Sequence, residues 1–162
     1  SEVGRGASFD IFLPRLVDDL AEAPPSRVSR PSTGGTETIL LVEDEPSVRR
    51  LARRVLERLG YEILEAPDGA AALAAANERA GAIDLLLTDV VMPGLRGDKL
   101  AAELGPRRPD MAVLFISGYT DGAMDLAAVR AAGSEFLAKP FTPDALARKV
   151  RDLLDARATA AR

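Results

Sequence analysis

Four carboxylates, one ammonium and one hydroxyl stand where separate stretches of this sequence can bring them together: Glu43, Asp44 and Glu45 follow one apolar run, Asp89 follows a second, Ser117 a third and Lys139 a fourth. Crowded carboxylates repel one another and lose hydration, so such a cluster is unfavourable unless a cation neutralises it. A hard divalent ion such as Mg2+ suits the case. It takes one or two carboxylates, a carbonyl and waters, and leaves a position for a phosphoryl oxygen. A neighbouring lysine and a hydroxyl donor then suit the other phosphoryl oxygens, whose transfer depends on positioning and charge stabilisation. Singly these residues say little, since an acidic pair is usually a solvated loop or helix cap and a strand-end aspartate a turn residue. Their order and their shared place after apolar runs carry the chemical meaning.

The elements that must position them alternate along the chain. Strand-like apolar runs occupy 38–42, 61–65, 83–88, 112–116 and 135–138, and helical patterns lie between them. That alternation specifies a parallel sheet with helices on both faces. In the first helix Val48, Leu51, Ala52, Val55, Leu56 and Leu59 fall on one face at helical spacing, and Gly60 supplies the stop. The last helix opens with Thr142 as N-cap and Pro143 as first residue, and buries Leu146, Val150, Leu153 and Leu154. Open sheets of this kind form their sites at the carboxyl ends of the strands. With strand order 2-1-3-4-5, the first, third, fourth and fifth strands are adjacent, so the acids, Ser117 and Lys139 converge on one pocket.

Composition narrows the chemistry. The 162 residues, 47% hydrophobic and 28% charged, suit one domain with a tail. Without cysteine there are no disulfides and no thiolate metal sites, and without histidine there is no imidazole acid–base chemistry and no phosphohistidine on this chain. A net charge of −4 opposes a nonspecific grip on nucleic acid. No apolar run approaches the roughly 20 residues needed to cross a bilayer and no signal pattern opens the chain, so a cytoplasmic location without direct membrane contact is expected.

The motifs Ile39-Leu-Leu-Val-Glu-Asp-Glu-Pro46, Asp84-Leu-Leu-Leu-Thr-Asp-Val-Val-Met-Pro-Gly94, Phe115-Ile-Ser-Gly118 and Phe136-Leu-Ala-Lys-Pro-Phe141 resemble, in order, the response-regulator receiver domains of bacterial two-component systems. The resemblance implies a flavodoxin-like (βα)5 doubly wound parallel sheet. It implies that Asp89 is the phosphoacceptor, that Asp44 binds Mg2+ directly and Glu43 through water, and that Asp89 and the Val91 carbonyl complete the protein ligands. Ser117 and Lys139 would contact the phosphoryl group, and the Lys139–Pro140 bond would be cis. Ser117 and Phe136 occupy the positions that couple phosphorylation to a surface change, with the fourth helix, fifth strand and fifth helix as output face. Met92-Pro93-Gly94 shapes the loop after Asp89.

Residues 4–14 (GRGASFDIFLP) resemble the last strand of the ATP-binding domain of histidine kinases. The expected organisation is a kinase remnant over 1–15, a linker over 16–36 that is rich in Pro, Ser, Gly and Thr, and a receiver over 37–158, as in a hybrid kinase with a C-terminal receiver. Too few residues follow Leu154 for a DNA-binding output domain. The signal would leave by protein contact or phosphoryl relay, and the donor would be the phosphohistidine domain of a histidine kinase or a histidine phosphotransfer protein. On this reading the fragment catalyses only its own phosphorylation and dephosphorylation. Two other functions compete. A Mg2+-dependent aspartyl-phosphate phosphatase of the haloacid dehalogenase type would place a second acid two residues after its nucleophile, where Val91 stands. A non-phosphorylated pseudo-receiver acting as an interaction module would not need the intact acidic set and Lys139.

Hydrolysis of an aspartyl phosphate requires a water held in line with phosphorus, and a polar side chain at the edge of the site can orient it. The positions placed for this by resemblance hold Val91 and Tyr119. Valine cannot hydrogen-bond water and tyrosine covers the approach, so a long-lived phosphorylated form is expected. Substituting Asn or Glu for Val91, together with a smaller polar residue for Tyr119, is expected to speed dephosphorylation with little change in metal affinity. Phosphate-release kinetics check this; fast release from the wild type, or no change in the double variant, would contradict it.

Overall fold

A computed structural model describes residues 34–118 and 134–160 of the chain. The N-terminal segment, Tyr119 and the connection expected to hold a fourth intervening helix lie outside those residues. Five strands and four helices are described: β1 (Thr38–Val42), α1 (Pro46–Arg58), β2 (Glu62–Ala66), α2 (Gly69–Glu78), β3 (Leu85–Asp89), α3 (Gly97–Leu104), β4 (Ala112–Ser117), β5 (Glu135–Ala138) and α4 (Pro143–Ala160). All strand pairings are parallel, as the alternation of apolar runs implies, and the sheet order is β2-β1-β3-β4-β5, the order expected with the receiver resemblance.

Both faces of β1 and β3 are covered, which is why these strands read as unbroken apolar runs. Ile39, Leu41, Leu85 and Leu87 pack with Leu56 of α1 and with Leu146 and Val150 of α4. Leu40, Val42 and Leu86 face the other way, toward Ala72 and Ala76 of α2 and Leu100 and Leu104 of α3. Helix α4 follows its sequence signals: the Thr142 hydroxyl accepts from the Ala145 amide at 3.2 Å, and Leu146, Val150, Leu153 and Leu154 are buried.

Helix α1 departs from expectation at one residue. Leu51 is 44% exposed, whereas Ala52 and Leu56 are fully buried. At ~100° per residue Leu51 lies about a third of a turn off the line through Ala52 and Leu56, so it falls at the solvent edge of the apolar seam and not within it. Three strands also shift slightly, β4 by running one residue further to Ser117. β2 begins at Glu62 because the Tyr61 amide still donates to the Leu56 carbonyl of the helix end, at 3.3 Å. β3 begins at Leu85, after Asp84 has placed its carboxylate on the Thr38 amide, and it includes Asp89 as its last residue.

The start of the domain is fastened to its last helix. The Gly35 amide donates to the Leu59 carbonyl at 3.0 Å, where α1 ends and Gly60 takes φ +93°. Two residues on, Glu37 accepts from Arg151 of α4 at 2.7 Å, and the same guanidinium reaches the Tyr61 hydroxyl and Asp155. Hydrogen bonding from Arg151 holds the Glu37 carboxyl below the usual carboxylate range, against the opposing effect of burial. A depressed carboxylate contributes stability above its unfolded value and loses it as pH falls through the folded value. Arg151→Met is therefore expected to destabilise the domain by about 1–2 kcal/mol near neutrality. Denaturant midpoints of the two proteins are expected to converge as pH falls below the carboxylate range; a pH-independent difference would contradict the ion-pair account.

Candidate phosphoryl-acceptor site

At the carboxyl edge of the sheet the sequence turns from apolar to charged on the neighbouring strands β1 and β3. β1 delivers Glu43, which is buried, and then Asp44, which is exposed; β3 ends on Asp89, 8% exposed. One carboxylate oxygen from each of the three lies within 4.8 Å of the others. Lys139, immediately after β5, crosses to them: its Nζ stands 2.8 Å from Glu43 Oε2 and 2.5 Å from Asp89 Oδ2. It reaches across because the Lys139 amide donates to the Ser117 carbonyl at 2.8 Å, which fixes the strand end beside β4. The Lys139–Pro140 bond is cis, as the resemblance implied.

Each remaining oxygen of the buried acids has a defined neighbour. The Glu45 amide donates to Glu43 Oε1 at 3.3 Å, and the Val91 amide donates to Asp89 Oδ1 at 3.1 Å. Among the described residues nothing donates to the Asp44 carboxylate. Burial raises the Glu43 pKa and outweighs the opposite pull of Lys139, while nearby Asp89 raises it further. Lys139 behaves differently. Burial pulls its value down, but the hydrogen bonds it donates to Asp89 and Glu43 win and hold the ammonium charged. One cation shared by several acids is strongly retained, whereas a carboxyl with a 1% exposed side chain gains less from its share than it loses in hydration.

Of the residues singled out from sequence, Glu43, Asp44, Asp89 and Lys139 therefore meet directly. Ser117 is brought in by register: Asp89 pairs with Ile116, and Ser117 is the next residue. Phe136 of β5 is half-buried and stacks on Phe115 of β4, ring centroids 5.4 Å apart. The Val91 side chain is 48% exposed, while its amide ties the loop to Asp89. Three contributors were not singled out. Gly97 opens α3 so close behind β3 that a Cβ there would sit 2.1 Å from the Asp89 carbonyl oxygen. Buried Thr88 donates to that same carbonyl at 2.9 Å. Arg49 of α1 donates to the Glu43 carbonyl at 2.5 Å and more weakly to that of Asp44 at 3.4 Å.

A doubly wound parallel sheet with three acids and a lysine at the edge where β1, β3 and β5 end is the architecture of the receiver class, and residues 39–151 match the model of the response regulator receiver domain. The chain belongs to that family. It is similar to the sensor kinase CckA of Brucella abortus, with 40% identity over 96% of this chain, and it spans 17% of that relative's length. Among solved structures it resembles the receiver domain of the hybrid histidine kinase CckA, with 44% identity and a TM-score of 0.61, covering 72% of this chain and 98% of that one. It also resembles the response regulator TrrA of Thermotoga maritima, solved in complex with Mg2+-BeF, with 34% identity and a TM-score of 0.62 over 73% of this chain and 99% of that one. Among the described residues no helix is long and apolar enough to cross a membrane.

The shared ammonium separates the acids energetically. Lys139→Met leaves buried Glu43 without its cation and is expected to destabilise the metal-free domain by about 1–3 kcal/mol. Asp44→Asn removes a repulsive charge that has no partner to lose, so it is expected to raise the metal-free melting temperature. Thermal scans in EDTA check both signs; a stabilised Lys139→Met or a destabilised Asp44→Asn would contradict this electrostatic balance.

Proposed function

We propose that this chain is a phosphoacceptor in a two-component phosphorelay, taking a phosphoryl group from a partner's phosphohistidine onto Asp89. The observation that carries the reading is the Lys139 ammonium shared between Asp89 and Glu43, with the exposed Asp44 carboxylate completing the acidic group. In the transfer a carboxylate oxygen of Asp89 forms a bond to phosphorus, and the bond from phosphorus to the donor imidazole nitrogen breaks. Lys139 pairs with a phosphoryl oxygen, and the Ser117 hydroxyl donates to another. The Val91 amide on Asp89 Oδ1 orients the acceptor carboxylate before the donor arrives.

The donor set fits Mg2+, which prefers hard oxygens and keeps several waters. Asp44 would bind it directly, Glu43 through water, and an Asp89 oxygen and the Val91 carbonyl would complete the protein ligands. When bound, the ion supplies positive charge that offsets the three carboxylates and the incoming phosphoryl oxygens. The complex of TrrA with Mg2+-BeF supports extending this chemistry to a relative of 34% identity.

The parent protein is read as a hybrid histidine kinase. Likeness to the sensor kinase CckA runs over 96% of the chain, well past the residues that match the receiver family, and this supports a kinase remnant over 1–15 and a linker over 16–36. Partners would be a phosphohistidine domain or a histidine phosphotransfer protein.

Incubation with acetyl phosphate and Mg2+ followed by intact-mass measurement tests the core of the proposal. A single added phosphoryl group is expected on the wild type, none on Asp89→Asn, and none when EDTA replaces Mg2+. Full labelling of Asp89→Asn, or an unlabelled wild type, would overturn it.

A further inference from the structure

Arg49 breaks a local rule. The amino end of a helix carries partial positive charge, so acids are favoured there and cations are not. Helix α1 opens Pro46-Ser-Val-Arg-Arg50, with no acid in its first turn, and its N-cap is Glu45, whose carboxylate accepts from the Ser47 amide. A departure of this kind points to a compensating interaction elsewhere. For Arg49 that interaction is visible. Its Nη1 donates to the main-chain carbonyls of Glu43 and Asp44, the two residues that link β1 to the helix cap. No backbone amide among the described residues donates to either carbonyl, so the guanidinium meets a hydrogen-bonding need that the loop cannot meet itself.

The choice of atoms matters. Arg49 grips main-chain oxygens and leaves the side-chain oxygens alone. The Asp44 carboxylate stays uncommitted, and the Glu43 carboxylate is engaged by Lys139 and the Glu45 amide. Neighbouring Arg50 has the same charge and is exposed, and it makes no such bond.

We infer that Arg49 is a positioning residue of the phosphoryl site: it braces the acidic loop so that Asp44 and Glu43 present their carboxylates to a divalent cation. The inference rests on the phosphoacceptor reading and adds to it a residue that never touches the reacting atoms. Two effects of removing Arg49 have opposite signs. Loss of a nearby positive charge by itself would tighten cation binding. Loss of the brace loosens it, and outer partners of metal ligands commonly contribute about tenfold or more to affinity.

The test is Mg2+ titration of the whole 162-residue chain by calorimetry, with melting in EDTA as the check of folding. Arg49→Met is expected to weaken Mg2+ binding about tenfold, and its labelling rate by acetyl phosphate is expected to recover toward wild type as Mg2+ is raised to saturation. Arg50→Met removes an equal charge and no brace, so its affinity is expected to stay at or slightly tighter than wild type. Arg49→Lys, with a compact ammonium in place of the fork, is expected to fall between wild type and Arg49→Met. If Arg49→Met does not fold, Arg49→Lys decides alone, since a wild-type affinity there would overturn the inference. Unchanged or tighter binding by a folded Arg49→Met, or equal weakening by Arg50→Met, would overturn it as well. Failure of the wild type to bind Mg2+, or wild-type binding by Asp44→Asn, would instead tell against the phosphoacceptor reading itself.

Discussion

Three carboxylates within reach of one another are the constraint around which this domain is arranged. Two of them are buried, and among the described residues only one ammonium lies with them. Lys139 cannot cancel all the charge. It prevents the pocket from being prohibitively repulsive and leaves an excess of negative charge that favours a divalent cation. The same feature explains why burial keeps Glu43 reluctant to ionise while Lys139 is held firmly charged. A site of this kind is stable enough to fold and unsatisfied enough to bind.

Geometry imposes the second condition. Parallel strands end on the same edge, so every strand contributes its last residue to one side of the sheet. The order β2-β1-β3-β4-β5 puts β1, β3 and β4 side by side, with β5 next to β4. Lys139, after β5, spans the width of β4 to reach Asp89 on β3. Close packing behind the edge is equally demanding: Gly97 admits α3 against the Asp89 main chain, and Thr88 occupies that carbonyl from the strand side. Asp89 is thus held through its backbone from behind and through its carboxylate from in front.

Much of this could be read from the sequence because the determinants are local. Unbroken apolar runs such as Leu85-Leu86-Leu87 announce strands covered on both faces, and Thr142-Pro143 announces a helix start. The acids and Lys139 could be placed together because strand order in such sheets is restricted and strand ends are marked by the switch from apolar to charged residues. What escaped depends on tertiary contact. Leu51 fits the apolar spacing of α1, yet its exposure is decided by where the seam meets the sheet. The bonds of Arg49 run to backbone atoms, which no residue pattern advertises. Glu37 and Arg151 are 114 residues apart, and nothing in either neighbourhood names the other. The one local clue to Arg49 was its misfit with the helix end.

The bond between Lys139 and Glu43 closes a sequence separation of 96 residues, and that between Lys139 and Asp89 closes one of 50. Contacts so distant along the chain close large loops, which makes them entropically expensive and slow to form. The acids of β1 and β3 emerge first during synthesis, and their counter-ion arrives only with the last strand. An incomplete chain would carry the acidic residues without the lysine that partly offsets them. The shared ion pair at this edge therefore reports that the whole sheet has been assembled, and it belongs only to a finished domain.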